Sequence, residues 1–192
     1  MKNIFLSISL LLTFFSLPCV AQKATVIYTT RDTQPLKMDI YQPDESHRNN
    51  YCVIFAFGGG FFTGSRDAKV YHEYFKSLAD SGYLVASIDY RLGLKNGKKP
   101  PSLFNRKPLV NSIEMAVQDL FAATSYLVSH ATELKIDTGK FIVSGSSAGA
   151  ITALTADYRK RNGKDENMLP APFQYAGVIS FAGAIYSNHG RP

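Results

Sequence analysis

Five residues, Gly145-Ser146-Ser147-Ala148-Gly149, lie between two runs of opposite character and restrict this chain more than any other segment. The apolar run Lys140-Phe141-Ile142-Val143-Ser144 precedes them, and Ala150-Ile151-Thr152-Ala153-Leu154, a helix-forming stretch, follows. This is G-x-S-x-G in a strand–turn–helix setting, the context that a nucleophile elbow requires. Glycines relieve a crowded turn that would otherwise drive a side chain into neighbouring backbone. Such a turn holds Ser147 out at the carboxyl end of a strand, where an ester carbonyl can approach it. A glycine-rich strand-to-helix turn that merely contains serines reads the same way in isolation. A second feature has to decide.

That feature lies upstream. Tyr51-Cys52-Val53-Ile54-Phe55-Ala56-Phe57 is apolar, β-branched and aromatic, and is expected to be a buried strand. It runs into Gly58-Gly59-Gly60-Phe61-Phe62-Thr63-Gly64-Ser65. Three successive glycines leave their backbone N–H groups unshielded, so a developing oxyanion can come close. A phosphate-binding P-loop would need a lysine before its Ser/Thr, but Ser65 follows Gly64 directly. A dinucleotide loop would need glycine at the position of Thr63. Both nucleotide readings fail. A simple tight turn remains the bland alternative.

Together these residues resemble the carboxylesterase/lipase branch of the α/β-hydrolases. The resemblance covers nearly all of the chain after its first 21 residues. It rests on Gly58-Gly59-Gly60-Phe61, on Ser87-Ile88-Asp89-Tyr90-Arg91-Leu92 and on Gly145 to Gly149. Many relatives place His where this chain has Phe57. Cholinesterase-like members carry an aromatic residue there, followed by GGGF and a nearby Gly-Ser such as Gly64-Ser65. The elbow usually reads Gly-Asp/Glu-Ser-Ala-Gly, so Ser146 is a second departure. Neither change touches a group that acyl transfer needs. The resemblance implies Ser147 as nucleophile and the N–H groups of Gly59, Gly60 and Ala148 as the oxyanion hole. It implies no metal and no organic cofactor.

The first residues read as a leader and not as part of the fold. Lys2 precedes an apolar stretch from Ile4 to Leu17, and Pro18-Cys19-Val20-Ala21 offers a small-residue cleavage site before Gln22. Ile4 to Leu17 is short of the ~20 apolar residues that a spanning helix needs. The expectation is a secretory signal peptide over residues 1–21 and a secreted or periplasmic product. Acylation of Cys19 as a lipoprotein anchor is the alternative, and Pro18 suits it poorly. No later stretch reads as a stable membrane span. About 170 residues remain, enough for one domain with a real core. With Cys19 in the leader, Cys52 is the only cysteine left, a small buried hydrophobe without a disulfide partner.

The formal net charge of +6 gathers in two places, Lys95 to Lys107 and Arg159 to Lys164, both among turn formers. Solvated loops are the expected reading. A nucleic-acid surface would need basic residues along one face with stacking aromatics or a known module, and neither is evident.

Strands are expected at Thr25 to Tyr28 and Leu36 to Tyr41, an antiparallel opening pair, then at Tyr51 to Phe57, Tyr83 to Ile88, the elbow run and Ala176 to Phe181. Helices are expected at Val70 to Ala79, Ser112 to His130 and Ala150 to Arg159, with Lys95 to Pro108 irregular. The alternation implies a three-layer α/β fold, a mostly parallel sheet with helices on both faces. Members of the resembled family carry their triad in the order Ser, Asp/Glu, His. After Ser147 this sequence has room for one helix, one loop and one strand. The expectation is a partial hydrolase domain over residues 22–192 with the last strands missing, inactive as it stands.

Four histidines are present. His47 falls in a polar loop, His72 on a helix before the elbow and His130 at a helix carboxyl end, where positive charge is welcome. His189 follows the last strand and is the candidate stand-in base, against an ordinary histidine near a chain end. Asp89, Asp119 and Asp137 read as structural carboxylates or caps. The reading reached is a secreted serine carboxylic-ester hydrolase working through an acyl-enzyme on a small-molecule or polysaccharide-linked ester. The alternatives are a non-catalytic hydrolase-like binding protein, or a serine peptidase or amidase of the same fold.

Overall fold

The computed structural model describes residues 23–95, 105–163, 168–170 and 172–185. The expected leader with Cys19, most of the first basic segment and His189 lie outside the described residues. Strand β3 (Cys52–Ala56) is buried on both faces, as its unbroken apolar text requires. Around it stand β1 (Lys23–Arg31), β2 (Gln34–Tyr41), β4 (Leu84–Ile88), β5 (Phe141–Ser146) and β6 (Gly177–Phe181). They form one sheet in the order β1-β2-β4-β3-β5-β6. The first two pairings are antiparallel, and β4, β3, β5 and β6 run parallel.

Each parallel crossover carries a helix: α1 (His72–Asp80), α2 (Lys107–Ser129) and α3 (Ala148–Arg161). From β3 the chain steps one way to β4, then returns past β3 to β5 and on to β6. Right-handed connections therefore put α1 on one face and α2 with α3 on the other, and α2 packs against α3. This is the expected α/β-hydrolase architecture.

Element boundaries shift from the sequence reading, most of all at the opening hairpin and at the start of α2. The opening strands extend to Arg31 and Gln34, because Asp32 and Thr33 both adopt positive φ (47° and 67°) in a two-residue hairpin turn. Helix α2 begins at Lys107 instead of Ser112. Pro108 sits in its first turn, where a missing N–H costs no hydrogen bond, and Ser112 Oγ donates to the Pro108 carbonyl at 2.7 Å.

Asp39, on β2, is fully buried. Burial pushes its carboxyl up, but hydrogen bonds from Lys23, Thr25 and Arg66 outweigh that and hold it below the usual aspartate value. A lowered folded-state pKa contributes stability above the unfolded value, and this is lost as pH falls through the folded one. The loss of thermal stability below about pH 4 should therefore be shallower in Asp39→Asn than in the parent. An unchanged slope in a melting series from pH 6 to pH 2.5 would show that Asp39 is not the linked group.

The parallel register brings four strand ends to one edge of the sheet. Ala56 pairs with Ile88 on one side and Gly145 on the other, and Ser146 pairs with Phe181. The glycine loop and the serine turn both leave from this edge.

Candidate active site

Between β5 and α3 the chain reverses within one residue. Ser147 adopts φ 51° and ψ −114°, a conformation that a side-chain-bearing residue holds only under constraint. The constraint is visible in its neighbours. The Ser147 N–H donates to the Phe181 carbonyl at 2.8 Å, and its own carbonyl accepts from Ile151 N–H at 2.9 Å. The helix can cross the end of β3 only because Gly149 lacks a side chain. A Cβ there would stand 2.0 Å from the Ala56 carbonyl oxygen and 2.5 Å from that of Phe57. A Cβ on Gly145 would meet Gly149 backbone at 2.3 Å. Ser147 is left exposed, with Ala148 buried behind it.

The loop after β3 doubles back on itself. Gly59, Gly60 and Phe61 take φ of 133°, 65° and 61°, and Phe62 and Thr63 both donate N–H to the Gly59 carbonyl at 3.0 and 3.1 Å. Gly64 packs so closely over the Gly58 carbonyl and the Phe57 ring that a Cβ there would stand 2.4 Å from one and 2.5 Å from the other. Phe57 serves as a floor for this loop: its ring stacks on Tyr90 at 4.5 Å, and its carbonyl accepts from the Tyr90 hydroxyl at 2.8 Å.

The loop and the elbow meet at Gly58, where a Cβ would lie 3.0 Å from the Ser146 carbonyl oxygen. Gly58 N–H donates to the Tyr71 hydroxyl at 3.1 Å. The N–H groups of Gly59, Gly60 and Ala148 have no hydrogen-bond partner among the described residues. The structure thus brings the loop with Gly59 and Gly60 and the turn with Ser147 and Ala148 to the same edge of the sheet, in contact at Gly58 and Ser146.

The described histidines are engaged elsewhere. His47 Nδ1 bonds Ser46 Oγ, His72 Nε2 bonds the Asp67 carbonyl, and His130 bonds the Tyr126 carbonyl while stacking on its ring. Among the described residues none hydrogen-bonds Ser147 Oγ. The three aspartates are likewise committed. Asp89 accepts from Arg66 Nη1 at 2.8 Å, and Asp119, fully buried, accepts from the Arg91 backbone N–H at 2.8 Å and from its guanidinium. Asp137 accepts from Gly139 N–H at 2.8 Å.

Sequence reasoning missed two participants. Tyr71 was legible only as an aromatic on a helical period, and the Phe181 carbonyl is a backbone group that no side-chain pattern announces. Phe181 closes the site on the β6 side: its half-exposed ring meets Tyr74 edge-on at 5.3 Å, and Tyr74 in turn bonds Ser144 Oγ at 3.0 Å. Burial raises the Tyr74 phenol above its ordinary value, with the Ser144 bond opposing it, so it stays neutral at physiological pH.

A sheet of this order, with a strained serine turn between an interior parallel strand and a helix, defines the α/β-hydrolase class. The chain belongs to the BD-FAE family, whose family model matches residues 38–185. It is 29% identical over 133 residues to the non-reducing polyketide synthase ausA of Emericella nidulans, covering 68% of this chain and 5% of that protein. It is 29% identical over 116 residues to the fumonisin B1 esterase of Sphingopyxis macrogoltabida, covering 60% of this chain and 21% of the esterase. Among solved structures, Thermogutta terrifontis esterase 2 phosphorylated by paraoxon superimposes with a TM-score of 0.55 at 25% identity. That match covers 69% of this chain and 46% of the esterase. The chain thus spans less than half the length of each of these relatives. No helix among the described residues is long and apolar enough to cross a membrane.

Proposed function

We propose that this chain carries the nucleophile and oxyanion hole of a serine carboxylic-ester hydrolase that works through an acyl-enzyme. One observation carries the reading: an exposed Ser147 held at φ 51°, ψ −114° in a turn that meets the glycine loop at Gly58, with the Gly59, Gly60 and Ala148 N–H groups unpartnered among the described residues. Ser147 Oγ attacks the ester carbonyl while a general base takes its proton. The oxygen of the tetrahedral intermediate gains negative charge, and the N–H groups of Gly59, Gly60 and Ala148 receive it. Donors fixed in advance stabilise that charge without reorganising, which is where most of such an effect arises. Collapse expels the alcohol, which takes the proton back from the base. Water then cleaves the acyl-enzyme by the same route in reverse. The base and its acidic partner come from outside the described residues, since every described histidine is bonded elsewhere.

The relatives and the signal-peptide pattern support a substrate class. A fumonisin B1 esterase and an esterase that paraoxon phosphorylates support a small-molecule ester. The signal-peptide pattern at residues 1–21 supports export, where polysaccharide-linked esters are met. The protein translated from its full reading frame should hydrolyse 4-nitrophenyl acetate and butyrate and leave acetyl-4-nitroanilide largely intact. Preferred turnover of the anilide would instead mark an amidase or peptidase. A folded protein that turns over none of the three would leave the non-catalytic binding reading standing and overturn this one.

A further inference from the structure

We propose that Arg66 is a positioning residue for the glycine loop, pinning its outer limb so that the Gly59 and Gly60 donors face the reaction. The proposal rests on the oxyanion reading above and adds to it a residue from outside the motif. Arg66 lies two residues beyond Gly64, where the doubled-back loop ends. Its socket is built from one face of two neighbouring strands. Asp39 on β2 pairs directly across from Ser87 on β4, and Asp89 lies two residues past Ser87, on the same side of the pleat. All three hold Arg66. Its Nε donates to Asp39 Oδ1 at 3.0 Å, its Nη1 donates to Asp89 Oδ2 at 2.8 Å, and its carbonyl accepts from Ser87 Oγ at 2.8 Å.

Side chain and main chain are thus both fixed, and by groups that are themselves fixed. Asp39 is fully buried and also accepts from Thr25 Oγ1 at 2.7 Å, with Lys23 Nζ 2.9 Å from its other oxygen. Asp89 N–H donates to the Lys37 carbonyl at 2.8 Å, and the Asp89 carbonyl accepts from the Tyr28 hydroxyl at 2.5 Å. Removing charges from water offsets much of what an ion pair gains, so this arrangement is a weak source of stability. A planar guanidinium between two carboxylates is instead a strong source of geometry, because its fork admits few orientations. The inner limb has its own anchor in the Gly58–Tyr71 hydrogen bond. Between the two anchors lie the residues that must not drift, since a shift of 1 Å at a reacting centre costs about 100-fold.

The test uses Arg66→Lys in the protein from its full reading frame. The ammonium keeps one positive charge between the two carboxylates, so the fold is retained, but it cannot bond both in the fork geometry. Two readouts are taken: hydrogen exchange of peptides spanning 57–65, and kcat and KM on 4-nitrophenyl acetate. The expected result is exchange at least about 10-fold faster in the loop peptides, unchanged protection in β3 and β5, and kcat lower by about 10- to 100-fold with KM nearly constant. Unchanged loop protection would overturn the proposal whatever the kinetics show. Protection lost equally from loop and sheet would overturn it too, reducing Arg66 to general support. A loosened loop with full kcat would uphold the anchor and overturn the oxyanion reading, so the two failures are told apart.

Discussion

Ser147→Ala should reduce turnover of a short-chain chromogenic ester by at least about 10⁴-fold in the protein from its full reading frame. The hydroxyl is exposed and makes no hydrogen bond among the described residues, so its loss changes stability by no more than about 0.5 kcal/mol. The effect therefore falls on chemistry and not on folding, and parallel melting curves separate the two. Ser146→Ala is the matched control. Ser146 belongs to β5 and packs beside Gly58, and it precedes the strained residue. Most of the turnover should survive there. Activity retained in Ser147→Ala would remove the nucleophile assignment. Activity lost only in Ser146→Ala would transfer it.

Gly149→Ala should be strongly destabilising. The added carbon would meet two backbone carbonyls, at 2.0 Å from Ala56 O and 2.5 Å from Phe57 O, and neither is a side chain that can swing aside. Helix α3 would have to lift from the end of β3, taking Ser147 with it. Overpacking of this kind costs about 3 kcal/mol, or about 6–12 °C in a domain of this size. Two other glycines calibrate the claim. Gly60→Ala meets no atom within 4 Å but keeps φ at 65°, so about 1 kcal/mol of backbone strain is expected. Gly177→Ala meets nothing within 4 Å and has no left-handed φ, so it should be close to neutral. Thermal melts of the three variants should fall in that order. Equal melting temperatures for Gly149→Ala and Gly177→Ala would mean that the turn is looser than described.

Much of this architecture was legible because the constraints are local. A buried parallel strand must be apolar throughout, and Tyr51 to Phe57 reads so. A helix must show its stripe, and Ile113, Val117, Leu120 and Leu127 do. The elbow is legible because its two glycines answer a steric need that shows in the sequence as G-x-S-x-G. The boundaries misread were those set by backbone conformation. Nothing in Asp32-Thr33 announces two left-handed residues in succession, and Pro108 looks like a helix breaker until the helix is seen to begin at Lys107. The site residues missed were those placed by topology. Tyr71 reaches Gly58 only after the loop has turned back, and Arg66 meets Asp39 only because β2 and β4 are neighbours. Asp39 alternates with Leu36, Met38 and Ile40 as a polar-face residue does, so its sequence position did not announce that it is buried under Arg66.

Covalent capture tests Ser147 as the nucleophile of an ester hydrolase without assuming a substrate. A fluorophosphonate reacts with an activated serine and leaves its phosphorus on the oxygen. The protein from its full reading frame should take up one equivalent, with the adduct on the tryptic peptide that contains Ser147 and no uptake in Ser147→Ala. An adduct on any other residue, or ester turnover that persists with Ser147 unlabelled, would contradict the account.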